Sequence, residues 1–498
     1  MPKRDSHLQF ERWAKEYGPI YSLILGTKTL IVLSSDEAVK ELLDRRSAIY
    51  SDRQDMYIGQ TLCSRDLRLL MLKYGPTWRM MRTVCHKVLN VNAAKSYVPY
   101  QDLENKQMLF EILEQPDDFL QHIRRHTNSL TTQMTFGKRT TSHKDPNMQA
   151  LFESLEEFLV LNQTGLAALI DFFPILRLLP EWLSPIKKRA NAVFAKQNKL
   201  FLRHWLDAKN AIKAGTAQPS FCVDLAKQQE TSAFSDDLAS YTAGSLLEAG
   251  TDTTASTVYA FIQALLLHPS VQSRAQQELD TVIGTSRLPD MPDEPNLPYL
   301  RACVKESLRW MPTAILGAVP HAAVREDFYA GYRIPKGCGV LNNVWTIHND
   351  PERYPEPRTF SPERFLGDTL SAADSAAQRE AGKRDHFTFG AGRRICQGMH
   401  VAERTLFLAL SRFVWAFEVA APRDGEGRAV LPDPDRLTQG FVAMPEAFGA
   451  VVRPRSVERA EAVKGFWHEV QEKLDPETLQ WRNEALPVGM GAMVGGAG

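Results

Sequence analysis

The stretch Phe389-Gly390-Ala391-Gly392-Arg393-Arg394-Ile395-Cys396-Gln397-Gly398 has the residue types that a sulfur ligand to a metal requires. A cysteine binds metal as the thiolate, which must be stabilised by nearby donors. Glycines let the backbone approach and aim N–H groups at the sulfur, and such hydrogen bonds tune the potential of the metal. The pattern Phe-x-x-Gly-x-Arg-x-Cys-x-Gly fixes five positions, Phe389, Gly392, Arg394, Cys396 and Gly398. At about 5% usage per position, five such matches arise by accident in a chain of this size on the order of once in ten thousand. A buried cysteine beside a glycine turn is the plainer alternative, and the spacing disfavours it. Cys63, Cys85, Cys222, Cys303 and Cys338 are scattered without a Cys-x-x-Cys pair. They read as small apolar residues of a reducing compartment.

Other chemical residues sit at helical spacings. Ala249-Gly250-Thr251-Asp252-Thr253-Thr254 interrupts a helical run from Asp236 to His268 that Pro269 ends. Gly costs about 1 kcal/mol against Ala inside a helix, and Asp and Thr are weak formers. Such a break marks function, unless the hydroxyls merely bond back to the preceding turn. Glu306 and Arg309 stand three apart and share a helix face; alone, that spacing describes a surface ion pair. Trp78 and Arg82 are one turn apart, so an indole N–H and a guanidinium reach the same side.

With these stretches in this order, the sequence over about 20–455 resembles the cytochrome P-450 family. The resemblance implies a mainly α fold with a minor β portion, the cytochrome P-450 fold. It implies haem b (iron protoporphyrin IX) held by the Cys396 thiolate, with Phe389 covering the sulfur and Arg394 pairing with a haem carboxylate. Trp78 and Arg82 match the family's W-x-x-x-R helix and would serve one propionate; His321 lies where a His or Arg often serves the other. Asp252 and Thr253 match the acid–alcohol pair that delivers protons to bound oxygen, with Gly250 leaving room for dioxygen and Ala249 bordering the substrate pocket. Glu306 and Arg309, with Arg364 of Pro362-Glu363-Arg364-Phe365, would form a buried cluster behind the cysteine loop.

The implied activity is monooxygenation of a lipophilic small molecule by dioxygen in secondary, natural-product metabolism. Electrons would come from NADPH through NADPH-cytochrome P-450 reductase, with cytochrome b5 as an optional second donor. No dinucleotide or flavin fingerprint follows a strand, so the reductase is expected to be a separate protein. The same haem could instead catalyse a rearrangement or dehydration, but members that do so tend to lose the acid–alcohol pair. A haem carrier without activity would not need a proton relay. His348-Asn349-Asp350-Pro351 and the residues after it look fungal. Such members sit on the cytosolic side of the endoplasmic reticulum behind a membrane-spanning segment, and this sequence shows no apolar run of that length.

The positioning elements can be read as well. Strands are expected at Ile20–Leu25 and Thr29–Leu33 around Gly26, then a helix capped by Ser35 that buries Ala38, Leu42 and Leu43. Helical period dominates from 65 to 285, and further helices run from Asn296 to Trp310 and onward from Cys396. Residues 367–386 read as a polar surface loop, and 428–453 as strands. Residues 1–455 form the catalytic domain and 456–498 an extension ending in a flexible Gly/Met-rich tail. Lys plus Arg and Asp plus Glu each total 59 in 498 residues, a balance that gives no reason to expect nucleic acid. Lys383, Arg384, Arg393, Arg79 and Lys87 could form a basic face for an acidic electron donor. The substrate pocket is expected among Leu246–Ala249, Thr313–Gly317 and Phe441–Met444.

Overall fold

The computed structural model describes residues 4–162 and 166–487. Apolar residues fall at helical spacing over most of the chain, and helices accordingly form the bulk of the molecule. The longest, Asp236–Leu267, starts where the Ser235 hydroxyl accepts the Leu238 N–H and stops at the residue before Pro269. A pre-proline residue resists the α conformation, which is why the helix goes no further. Its flanks pack against Phe119–Phe136 and Pro185–Lys213. The helix that follows the cysteine, Met399–Ala416, shares the largest apolar core with it through Leu406, Leu410, Phe413, Val258 and Ile262.

The minor β portion is a five-stranded sheet ordered Ile20–Leu25, Lys28–Leu33, Gly339–Asn342, His321–Ala322, Asp52–Arg53. The first two strands pair around Gly26, which has φ +60°. Ser35 accepts the Ala38 N–H as expected, and the helix Asp36–Val39 continues into a π-helical turn, Lys40–Arg45, burying Ala38, Leu42 and Leu43. At the far edge Arg53 pairs with His321, two residues 268 positions apart brought side by side by the register.

Two sequence expectations fail, the first of them in part. Residues 367–386 are a surface loop only in part: Arg379, Glu380 and Lys383 are exposed, but the short helix Ala372–Ala376 is largely buried, and the Glu403 carboxylate accepts its first N–H groups. Alanine and serine there are small enough to nest against the cysteine-following helix, whereas composition alone suggested solvent. Within 428–453 only Val451 onward is a strand, Val451–Pro454, paired with Phe417–Ala420; otherwise that stretch has isolated bridges only, Arg423 with Ala429 and Leu437 with Pro445. Prolines at 432, 434 and 445 deny the ladder its N–H donors.

After residue 455 the helix Val457–Gln471 packs Trp467 and Val470 on Leu103. Trp481 donates from Nε1 to Gln133 at 2.7 Å. The expected flexible tail falls mostly on residues 488–498, outside the described residues.

Candidate functional site

The cysteine loop is a chain of tight turns. Gly390 and Gly392 have φ +73° and +61°, and a Cβ on Gly392 would lie 1.9 Å from the Leu43 carbonyl oxygen. The loop closes where the Cys396 N–H donates to Phe389 O at 2.8 Å. Cys396 is exposed, while the other five cysteines are buried. Burial within the loop pushes its thiol up, but the N–H groups of Gly398 and Met399 oppose that shift, as does Arg82. Met399 begins the helix Met399–Ala416, so the sulfur also faces a helix N-terminus, which favours negative charge. Phe389 is buried against His386.

Beside the sulfur lies a concentration of positive charge. Arg394 stacks 4.2 Å from the Trp78 ring centre and Arg82 lies 5.6 Å from it. Arg394 donates to the carbonyls of Ser51 and Leu72 at 2.9 and 2.7 Å. Arg82 donates to Ile395 O, and Arg53 to Leu70 O and Val319 O. None of these three guanidiniums has a carboxylate as a hydrogen-bond partner among the described residues. Burial, then Arg394 and Arg82, push Arg53 down to about 9. Arg394 falls to about 10 through burial, with Asp52 opposing. His321 is driven well below its ordinary value by burial and then by Arg53. Uncompensated buried cations are costly, and the carboxylates of a bound group would compensate them. The donor set therefore fits haem: a thiol at a helix start beside three guanidiniums with only Asp52 near them and no carboxylate hydrogen-bonded to them among the described residues.

The structure brings together Trp78, Arg82, Arg394 and Cys396, as the motifs implied. His321 is close, but its Nδ1 contacts Tyr50 O at 2.7 Å. A carbonyl only accepts, so Nδ1 carries the proton and the neutral ring offers a lone pair elsewhere. Arg53 was missed. Its sequence context carries no signal; only the strand pairing with His321 places it here.

On the long helix, Ala249 is exposed and Thr253 half-buried, one turn apart, amid buried neighbours. They mark the face that meets open space. The Thr253 hydroxyl donates to Ala249 O at 2.7 Å, which leaves its lone pairs free to accept a proton donor. The helix runs unbroken, so the hydroxyl bonds back without breaking it and Thr253 stays half-exposed. Gly250 has a different cause from the one expected: a Cβ there would lie 2.7 Å from Thr131 Oγ1 of the neighbouring helix. Close helix packing, reinforced by Thr127 Oγ1 donating to Thr251 O at 2.7 Å, requires the glycine. Asp252 is buried, and burial raises its pKa while Arg124 opposes the shift. The hairpin at Leu437–Pro445 meets the segment after Trp310 through Ala443 N–H to Thr313 O at 2.7 Å.

Glu306 and Arg309 are both fully buried and paired through Nε–Oε2 at 2.6 Å and Nη2–Oε1 at 2.7 Å. Arg364 Nε lies 3.5 Å from Glu306 Oε1. His348 connects the cluster to the cysteine loop: Arg309 Nη1 donates to its carbonyl at 3.0 Å, and its Nε2 accepts the Phe387 N–H at 2.7 Å. Of the basic residues near the loop, Arg79 and Arg393 flank the Tyr74 ring at 5.6 and 5.4 Å, and Lys87 is exposed. Lys383 is exposed and paired with Glu380. Arg384 is not on this surface: its side chain is fully buried, bonding Gly390 O.

The profile of the cytochrome P-450 family matches residues 2–447. The chain is 49% identical to the cytochrome P-450 monooxygenase virE of Hypocrea virens over 98% of its length and 88% of that protein. It is 48% identical to the monooxygenase fogE of Aspergillus ruber, over 98% of this chain and 90% of that one. Among solved structures, a zebrafish cytochrome P-450 with progesterone is similar at TM-score 0.72 and 26% identity, covering 91% of this chain and 100% of that chain.

Proposed function

Since this chain belongs to the cytochrome P-450 family and is a haem-thiolate monooxygenase, we propose that it oxidises a lipophilic small molecule in natural-product metabolism with electrons passed from NADPH by a separate reductase. One observation carries the site assignment: the exposed cysteine stands at a helix N-terminus beside guanidiniums that no carboxylate among the described residues hydrogen-bonds. Cys396 would hold the haem iron through its sulfur. Arg82, Arg394, Trp78 and Arg53 would receive the haem carboxylates, and His321, once protonated, would join them. Haem supplies the binding and reductive activation of dioxygen. Residues 1–455 act as the catalytic domain, with 456–498 as its extension.

Asp252 and Thr253, on the long helix, would manage protons. Burial favours the neutral Asp252 carboxyl, a form that can give up a proton and be recharged. Thr253 Oγ1, its own proton committed to Ala249 O, accepts from a water and holds it over the open face. Thr253→Ala should retain haem and substrate affinity while product per NADPH falls at least about tenfold and hydrogen peroxide rises. If Thr253 served only to bend the helix, melting would change and this ratio would not. Electron donors, the reductase and cytochrome b5, would dock on Arg79, Lys87 and Arg393.

No helix among the described residues is long and apolar enough to cross a membrane. An apolar surface supports membrane association of another kind. Ile175, Leu178 and Trp182 are 70, 77 and 80% exposed on consecutive short turns. They adjoin the Gly26 turn, where the Thr27 N–H donates to Phe172 O at 3.1 Å and Ile24 is also exposed. Exposed Trp and aliphatic side chains at this density suit the headgroup boundary of the endoplasmic reticulum. Replacing Ile175, Leu178 and Trp182 together by Ser should lower partitioning onto phospholipid vesicles at least about tenfold. Equal partitioning of the triple variant would refute this surface.

A further inference from the structure

Asp44 is far from every motif in the sequence, yet it meets the cysteine loop directly. It sits in the π-helical turn Lys40–Arg45, and one carboxylate oxygen accepts the Gly392 N–H. The other oxygen receives Lys40 Nζ at 2.7 Å and lies 3.5 Å from Arg384 Nη1. Arg384, fully buried, donates to the Gly390 carbonyl and, from Nε, to His386 O at 3.3 Å. Its own carbonyl accepts Arg353, whose guanidinium also pairs with Asp36.

The two contact points are informative. Gly390 and Gly392 are the loop's positive-φ residues, where the backbone has the most freedom and the least intrinsic preference. Arg384 holds the carbonyl of one and Asp44 the N–H of the other, with buried Ala391 between them. The same turn presses Leu43 O against Gly392, so the loop cannot retreat toward it. A 3-10 turn, Gly392–Arg394, then leads directly to Cys396. The cluster of Glu306 and Arg309 grips the loop earlier, at Phe387 through His348.

We propose that Asp44, with Arg384 as its counter-charge, is a positioning residue that clips the two glycines and thereby fixes where the Cys396 sulfur is presented. The proposal rests on Cys396 being the ligand. Asp44 touches no reacting atom; it acts through the Gly392 amide. What it supplies is an acceptor at one point, so acceptor position matters more than charge.

The test uses the full-length holoprotein and reads the fraction of the reduced, carbon monoxide-bound form that shows thiolate-type absorption, with haem content and melting measured alongside. Asp44→Ala should retain haem while that fraction falls at least threefold. Asp44→Asn keeps an oxygen for the Gly392 N–H and should restore most of it. Should Asp44→Ala fail to take up haem, Asp44→Glu decides. It keeps the charge beside Lys40 and Arg384 but displaces the acceptor by one methylene, and should show wild-type melting with a reduced thiolate fraction. A wild-type thiolate fraction in Asp44→Ala, or in Asp44→Glu where Ala does not load, would overturn the proposal. Wild-type protein without a thiolate band would instead overturn the Cys396 assignment, so the two failures are distinct.

Discussion

Cys396→Ala should lose the thiolate-type absorption of the reduced, carbon monoxide-bound protein completely, and NADPH-dependent product formation should drop to background. The cause is local. Among the six cysteines only Cys396 is exposed, and only its sulfur is approached by the N–H groups of Gly398 and Met399 at a helix start. The loop atoms packed around the sulfur raise the thiol while the Gly398 and Met399 N–H groups and Arg82 oppose that shift, and metal binding there would release a proton. Those N–H groups would tune the electron donation of a bound thiolate. The cationic group of Arg53, Arg82 and Arg394 does not depend on the sulfur. Haem should therefore still bind the variant, more weakly and without its sulfur signature. A thiolate band that survives in Cys396→Ala would place the ligand elsewhere.

Glu306→Ala should abolish the folded, haem-loaded protein rather than slow its turnover. Glu306 accepts two hydrogen bonds from Arg309 and one from the Ser361 N–H at 2.8 Å, and lies beside Arg364, all without solvent access at the carboxylate. Its removal strands the Arg309 guanidinium in the interior, at a cost of roughly 3–5 kcal/mol. That is a large part of the ~5–15 kcal/mol by which a domain is stable. The damage should spread along a defined route. Arg309 holds the His348 carbonyl, and His348 holds Phe387 at the mouth of the cysteine loop, while Thr388 Oγ1 donates to Leu308 O at 2.7 Å. Haem content and melting temperature check this; a variant with full haem and unchanged melting would show that the cluster is dispensable. Glu306→Gln retains one acceptor oxygen at the same place and should fall between wild type and Glu306→Ala.

Much of this molecule follows from local chemistry. The caps at Ser35 and Ser235, the stop before Pro269 and the turn at Gly26 each depend on a few neighbouring residues, so they are legible in a linear string. The cysteine loop is legible for the same reason, because ligand, glycines and arginine lie within ten positions. The misreadings share a different origin. Arg384 and Ala372–Ala376 look solvated by composition, but their partners, Asp44 and Glu403, are supplied by distant segments. Gly250 looked like space for a small ligand, whereas the atom it makes room for belongs to Thr131 on another helix.

The sequence by itself marked the candidate ligand loop, the candidate acid–alcohol pair, the Glu306–Arg309 spacing and the helical character, because each is written in residues close enough to share one turn or loop. Only the tertiary structure decided which charges lack partners and which residues hold the loop in place. Arg53 reaches Arg82 and Arg394 through a strand register that joins positions 53 and 321, and Asp44 reaches Gly392 across 348 positions. Pairing at such separations is set by the summed burial of whole elements against the entropy of closing long loops, and no local run of side chains records that sum.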